Sequence, residues 1–232
     1  MKGTKEEEHY SDFEIKPYWR GRIHRMAFYS TICIFFLFMI FLRLNKIYLT
    51  IYFLSQLLLY GVSSTYHMHP WTNRTAERLF QKLDHSSIFL LISGTQTCIV
   101  ASISALYPDL FSDNESLSYA TLLYISYAMA VLGILKVFFF HAPRAFNVMY
   151  YILHGISIPI FIPYKAVSDI AIAVLCATGG ILYILGGIIY GVKRPNPWPL
   201  IFGYHEVFHA LTVLANMSFM MTVVWADYKL HV

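Results

Sequence analysis

Seven apolar runs follow one another along the chain, at about residues 26–42, 47–66, 83–107, 119–140, 145–164, 169–191 and 200–226, with short polar links between them. Most are close to the ~20 residues that a helix needs to cross the hydrocarbon layer of a bilayer. None has the alternation of a barrel strand, and the lengths fit helices. Pro70, Pro108, Pro143 and the group Pro195, Pro197 and Pro199 stand in the gaps, where helix breakers belong. The pattern predicts an all-α polytopic membrane protein, a seven-transmembrane-helix bundle. Residues 1–25 read as a polar tail, 26–226 as one transmembrane domain and 227–232 as a short tail at the other end. The first apolar run follows 25 polar residues and has no small-residue cleavage site, so it reads as an internal signal anchor.

Composition agrees. Hydrophobic residues make up 57% of the 232 positions and charged residues 13%, against about 25% charged in a soluble domain. This excludes a soluble globular enzyme and a disordered chain. The net charge of +4 is small and scattered, which excludes nucleic acid as a partner. Cys33, Cys98 and Cys176 all lie in apolar runs, which argues against a disulfide framework or a cysteine-type zinc site.

The distribution of Lys and Arg sets the expected orientation. With the N-terminus in the cytoplasm, Lys2, Lys5, Lys16, Arg20, Arg22, Arg25, Arg74, Arg78, Lys82, Arg144, Lys193 and Arg194 are inside, and only Arg43, Lys46, Lys165 and Lys229 are outside. The acidic loop of Asp109, Asp113 and Glu115 is then outside, as is the C-terminus.

Three polar features interrupt the apolar pattern. Ser63-Ser-Thr-Tyr-His67 ends helix 2, Lys82-Leu-Asp84-His85-Ser86 opens helix 3, and His205-Glu206-Val-Phe-His209 opens helix 7. Ser63 and His67 are four apart, as are His205 and His209, so each pair shares a helix face. Helix 2 ends on the side where helices 3 and 7 begin, so all three features lie at similar depth near the cytoplasmic boundary. Ionisable groups in a membrane are costly and usually face the bundle interior in a functional role. Two histidines one turn apart with a third from another helix make an open zinc site, with a fourth position for water. Zinc can lower the pKa of that water to about 7. Asp84 could hold or deprotonate the water, and Ser63 could orient Asp84, a ligand or the substrate oxygen. His24, His69, His85, His141 and His154 fall outside this pattern and read as packing or interfacial residues.

The second histidine pair is also an H-E-x-x-H string, which marks zinc proteases when it lies on a helix, with Glu206 as general base. The only acid after it, Asp227, is 18 residues on, or about 27 Å of helix. A third ligand must therefore come from upstream, and His67 is the obvious supplier.

These motifs, in this order, resemble the hemolysin III family, part of the larger group of adiponectin and progestin receptors and distantly akin to alkaline ceramidases. The resemblance covers nearly the whole chain. It is carried by Arg20-Gly21 with His24, by GVSSTYH at 61–67, by KLDHSSIFLLISGTQT at 82–97 and by GVKRPNPWPLIFGYHEVFHAL at 191–211. It implies Zn2+ on His67, His205 and His209, with Asp84 and Ser63 lining the zinc water, and it favours Asp84 over Glu206 as that water's partner. Where the family reads Gly-Thr-Tyr-Thr-Pro, this chain has Gly94-Thr95-Gln96-Thr97-Cys98, so no proline kink is expected in helix 3.

Three functions remain open at this level. One is a zinc-dependent hydrolase of a membrane-lipid amide or ester, ceramidase-like, with membrane lipids as substrate. The second is a receptor or membrane-homeostasis protein with structural zinc. The third is a pore-forming hemolysin, against which stands the lack of a charged stripe on any helix. The orientation itself is testable. In microsomes, the outer-loop sequon at Asn114 should gain a glycan while the inner sequon at Asn73 stays bare. Glycan at Asn73 alone would reverse the orientation.

Overall fold

The computed structural model describes residues 16–111, 118–140, 142–161 and 167–232. The sequon at Asn114, the acids Asp113 and Glu115, His141, Lys165 and the first fifteen residues, with Lys2 and Lys5, lie outside them. Seven α-helices form among the described residues: α1 (Arg22–Phe41), α2 (Lys46–Met68), α3 (Arg74–Leu106), α4 (Tyr119–Phe139), α5 (Arg144–Ile156), α6 (Ile170–Val192) and α7 (Tyr204–His231). All but α5 are long and apolar enough to cross a membrane. The chain is thus an all-α, multi-pass integral membrane protein.

Side-chain caps explain several of the helix starts. The Asn45 carboxamide oxygen accepts the Ile47 N–H (2.9 Å), Asn73 accepts from Thr75 (2.9 Å), the Ser118 hydroxyl accepts from Thr121 (3.3 Å), and the Asp169 carboxylate accepts from Ala171 (2.9 Å). Each satisfies an N–H that the helix itself leaves without a partner. The cap at Asn73 starts α3 well before its apolar run, so the helix is 33 residues long and projects beyond the span. It continues unbroken through Gly94–Cys98. The fifth run departs from the expected single span over 145–164. Its α-helix has 13 residues and gives way, after a turn, to a short 3-10 segment at Pro159–Phe161. Pro159 has no N–H to continue the α-helical ladder.

α3 is the hub. It packs against α2, α4, α5 and α7, while α6 pairs with α7, α1 with α2, and α5 with α6. At one end of the bundle Leu49, Tyr52, Phe53, Val100, Ile103 and Val223 form the main apolar cluster. That end is tied by Asp227 of α7, whose Oδ1 accepts the backbone N–H groups of Arg43 (2.7 Å) and Leu44 (2.8 Å) in the α1–α2 link. A smaller cluster of Ala27, Leu59, Tyr60 and Leu91 lies towards the opposite end. Midway, His154 of α5 is fully buried, with Nε2 3.3 Å from the hydroxyls of Ser93 and Ser126. Gln96 Nε2 donates to the His154 carbonyl (3.0 Å), which holds the short helix to α3 and α4.

Close approach of α2 and α3 depends on Gly94, where a Cβ would run into the Ser55 Oγ and lie 2.7 Å from the Ser55 Cβ. A Cβ on Gly180 would meet nothing within 4 Å. Gly94→Ala should therefore lower the thermal midpoint in detergent, by an overpacking cost of ~1–3 kcal/mol. Gly180→Ala should hold or raise it, because alanine is the better helix former. Equal midpoints would mean that the α2–α3 crossing is not tight.

Candidate metal centre

The end of the bundle away from Asp227 gathers the three polar features. His67 lies in the last turn of α2, Asp84 in the early part of α3, and His205 and His209 in the first two turns of α7. The parity of the helices brings these turns to one level, and the packing of α3 on α2 and α7 brings them together. His67 Nε2 and His205 Nε2 are 3.2 Å apart. One nitrogen from each of His67, His205 and His209 falls within 4.8 Å of the others, a grouping that could hold a metal ion. Asp84 Oδ2 is 3.8 Å from His67 Nε2. His67 and Asp84 are each 8% exposed and His209 2%. Ser63, one turn before His67, is buried beside Asp84.

All five residues singled out in the sequence thus lie in one cluster, four of them buried and His205 partly so. Lys82, two residues before Asp84, donates to the Phe138 carbonyl (2.9 Å). Glu206, between the two histidines in the H-E-x-x-H string, has other partners. Its side chain is 1% exposed, one oxygen is ion-paired with Arg20, and the other accepts the Gly203 N–H (2.8 Å) at the start of α7. Each of its oxygens thus already has a partner within the protein.

Two participants were not legible as site residues. His24, in the first turn of α1, is 2% exposed and stacks on His209, with ring centroids 3.8 Å apart and planes 6° apart. Its expected packing role therefore places it directly against the cluster. Arg20 lies in the segment before α1, which is fastened to the α6–α7 link by Tyr18 N–H to the Leu200 carbonyl (3.0 Å) and Trp19 N–H to that of Ile201 (3.1 Å). Hydropathy is silent about both, because neither belongs to a helix face that is polar at the right depth; the only sequence signal was the Arg20-Gly21…His24 spacing itself.

A sequence model of the family described as Haemolysin-III related matches residues 14–220, which contain every residue of this cluster. The chain is 29% identical over 183 residues to Hemolysin-3 homolog of Bacillus subtilis (strain 168), covering 78% of this chain and 77% of that one. It is 33% identical over 176 residues to Hemolysin-3 of Bacillus cereus, covering 74% and 70%. The convergence of the three motifs in space and the match along nearly the full length lead to one conclusion: the chain belongs to the haemolysin-III-related family.

Proposed function

We propose that the protein is a zinc-dependent hydrolase that cleaves an amide or ester bond of a membrane lipid, with its site near the cytoplasmic face. The observation that carries this reading is the convergence of three imidazoles with a carboxylate 3.8 Å from one of them. Two Nε2 atoms 3.2 Å apart either share a proton or flank an ion. A tetrahedral zinc with Zn–N near 2.0 Å sets its ligand nitrogens about 3.3 Å apart, which fits this pair. A third imidazole at the same place has no purpose in a two-histidine hydrogen bond. An all-imidazole set suits zinc among the common divalent ions.

His67, His205 and His209 would hold the ion. When bound, zinc supplies a Lewis acid for the carbonyl and lowers the pKa of a water to about 7. Asp84 would accept a proton at its carboxylate from an attacking water and return it to the leaving amine or alcohol. Ser63, buried beside Asp84, orients that carboxylate or the carbonyl oxygen of the substrate. Helices 2, 3 and 7 exclude bulk water, which strengthens each of these interactions. A lipid would reach the site laterally from the bilayer. The cytoplasmic placement is supported by Arg20, Arg22, Arg25, Arg74, Arg78, Arg144, Lys193 and Arg194, all near the helix ends that surround the cluster.

A second reading has an observation of its own. Asp84 is near enough to His67 that a small shift would make it a fourth ligand, which would close the site and make the zinc structural, as in a lipid receptor or homeostasis protein. The relatives' name, hemolysin, suggests a pore. Against that stands the interior, which is filled by Tyr52, Phe53, Tyr60 and Phe89.

Purified protein should carry about one zinc per chain by elemental mass spectrometry. His67→Ala and the His205→Ala/His209→Ala double variant should each lose it. A folded wild type without zinc, prepared without chelators, would remove the mechanism. Asp84→Asn separates the first two readings. A hydrolase should keep zinc and lose ~10²–10⁴-fold in turnover of a ceramide-like amide. Weakened zinc binding in this variant would instead favour the closed, structural site.

A further inference from the structure

A metal-binding histidine is normally oriented by a hydrogen bond from its second ring nitrogen to a carboxylate, carbonyl or water. The Nδ1 of His209 is buried with no hydrogen-bond partner among the described residues. What touches the ring is His24, stacked in parallel at 3.8 Å. His24 rests in turn on Tyr60 (ring centroids 5.0 Å), and the Tyr60 hydroxyl accepts from Asn216 Nδ2 (2.6 Å), two turns beyond His209 on α7. The stack is therefore braced from the same helix that it serves.

The segment just before α1 makes two further contacts with ligand-bearing turns. Gly21 has a left-handed backbone (φ 78°), and a Cβ there would lie 2.9 Å from the His67 Cβ and 2.7 Å from the Met68 Cγ. Only glycine lets the chain lie flat on the end of α2 in that conformation. Arg20 reaches across to Glu206, which sits between the two α7 histidines and also caps the helix through the Gly203 N–H. A carboxylate buried this deeply is costly unless fully paired, and here both partners fix the first turn of α7.

We infer that Tyr18–His24 is a positioning strap for the metal centre, in which the Arg20–Glu206 ion pair sets the first turn of α7 and the His24 ring sets the plane of His209. The inference rests on the metal reading proposed above. It makes Glu206 of the H-E-x-x-H string a positioning residue and not a general base, and it makes the pre-helical segment a part of the site. Arg20, Glu206 and His24 act through the ligands without needing to touch the ion.

The test is zinc affinity, measured by chelator competition on purified full-length protein, with the thermal midpoint of each zinc-free form as the control for folding. Changes to residues that support ligands cost about 10–100-fold in metal affinity. His24→Ala should lose that much, and His24→Phe, which keeps a flat ring on His209, should stay close to wild type. Arg20→Met/Glu206→Gln, which removes both charges together, should also lose about 10–100-fold at a similar zinc-free midpoint. If this pair does not fold, Arg20→Lys and Glu206→Gln carry the test singly, and the Co2+-loaded protein should show altered ligand-field absorption in each. A zinc-binding wild type whose affinity is unchanged in His24→Ala and in the Arg20 and Glu206 variants would overturn the strap alone. A wild type that binds no zinc would overturn the metal reading beneath it.

Discussion

Hydrocarbon offers no hydrogen bonds, so every polar group this chain takes into the membrane has to be satisfied by another part of the chain. That constraint organises the bundle. At one end Asp227 accepts two backbone N–H groups of the α1–α2 link. In the middle, His154, Ser93, Ser126 and Gln96 close on one another across three helices. At the other end Glu206 is shared between Arg20 and a helix-capping N–H. Each knot joins elements far apart in sequence, and together they fix how apolar helices, which have no hydrophobic preference for one another within lipid, are arranged.

Against that background, the imidazole cluster is a place where satisfaction within the protein is incomplete. His24 and His209 have buried ring nitrogens without partners among the described residues. They stand beside three convergent ring nitrogens and a carboxylate, a grouping that could hold a metal ion. The two acids of the motifs have different surroundings: Asp84 faces His67, while Glu206 pairs with Arg20 and the Gly203 N–H.

Support for the cluster comes from opposite ends of the chain. The strap before α1 lies on the last turn of α2 and on the first turns of α7. This arrangement also keeps residues 18–24 packed over the basic end of the bundle. Residues that sequence reasoning would set aside as a polar entry to the first span thereby belong to the structure around the histidine cluster.

Much of this was legible in the sequence, and the reason is solvent. Partition into lipid selects apolar length, so the helices, their order and the multi-pass architecture could be read from runs alone. Parity then placed Ser63, His67, Asp84, His205 and His209 at one depth without any knowledge of neighbours, and their i, i+4 spacing put each pair on one face. Hydropathy could not report where a helix ends once it leaves the apolar layer. α3 begins at Arg74 because of the Asn73 cap, and α7 runs on to His231, both beyond their apolar runs. Nor could it anticipate that Pro159 would leave α5 too short to match the other spans. Only the tertiary structure decided which helices adjoin, and so which polar groups meet. The stacking of His24 on His209 and the pairing of Arg20 with Glu206 depend on contacts across more than 180 residues. Such contacts leave no periodic trace along the chain, because they arise from packing in space and not from the transfer of a single segment into the membrane.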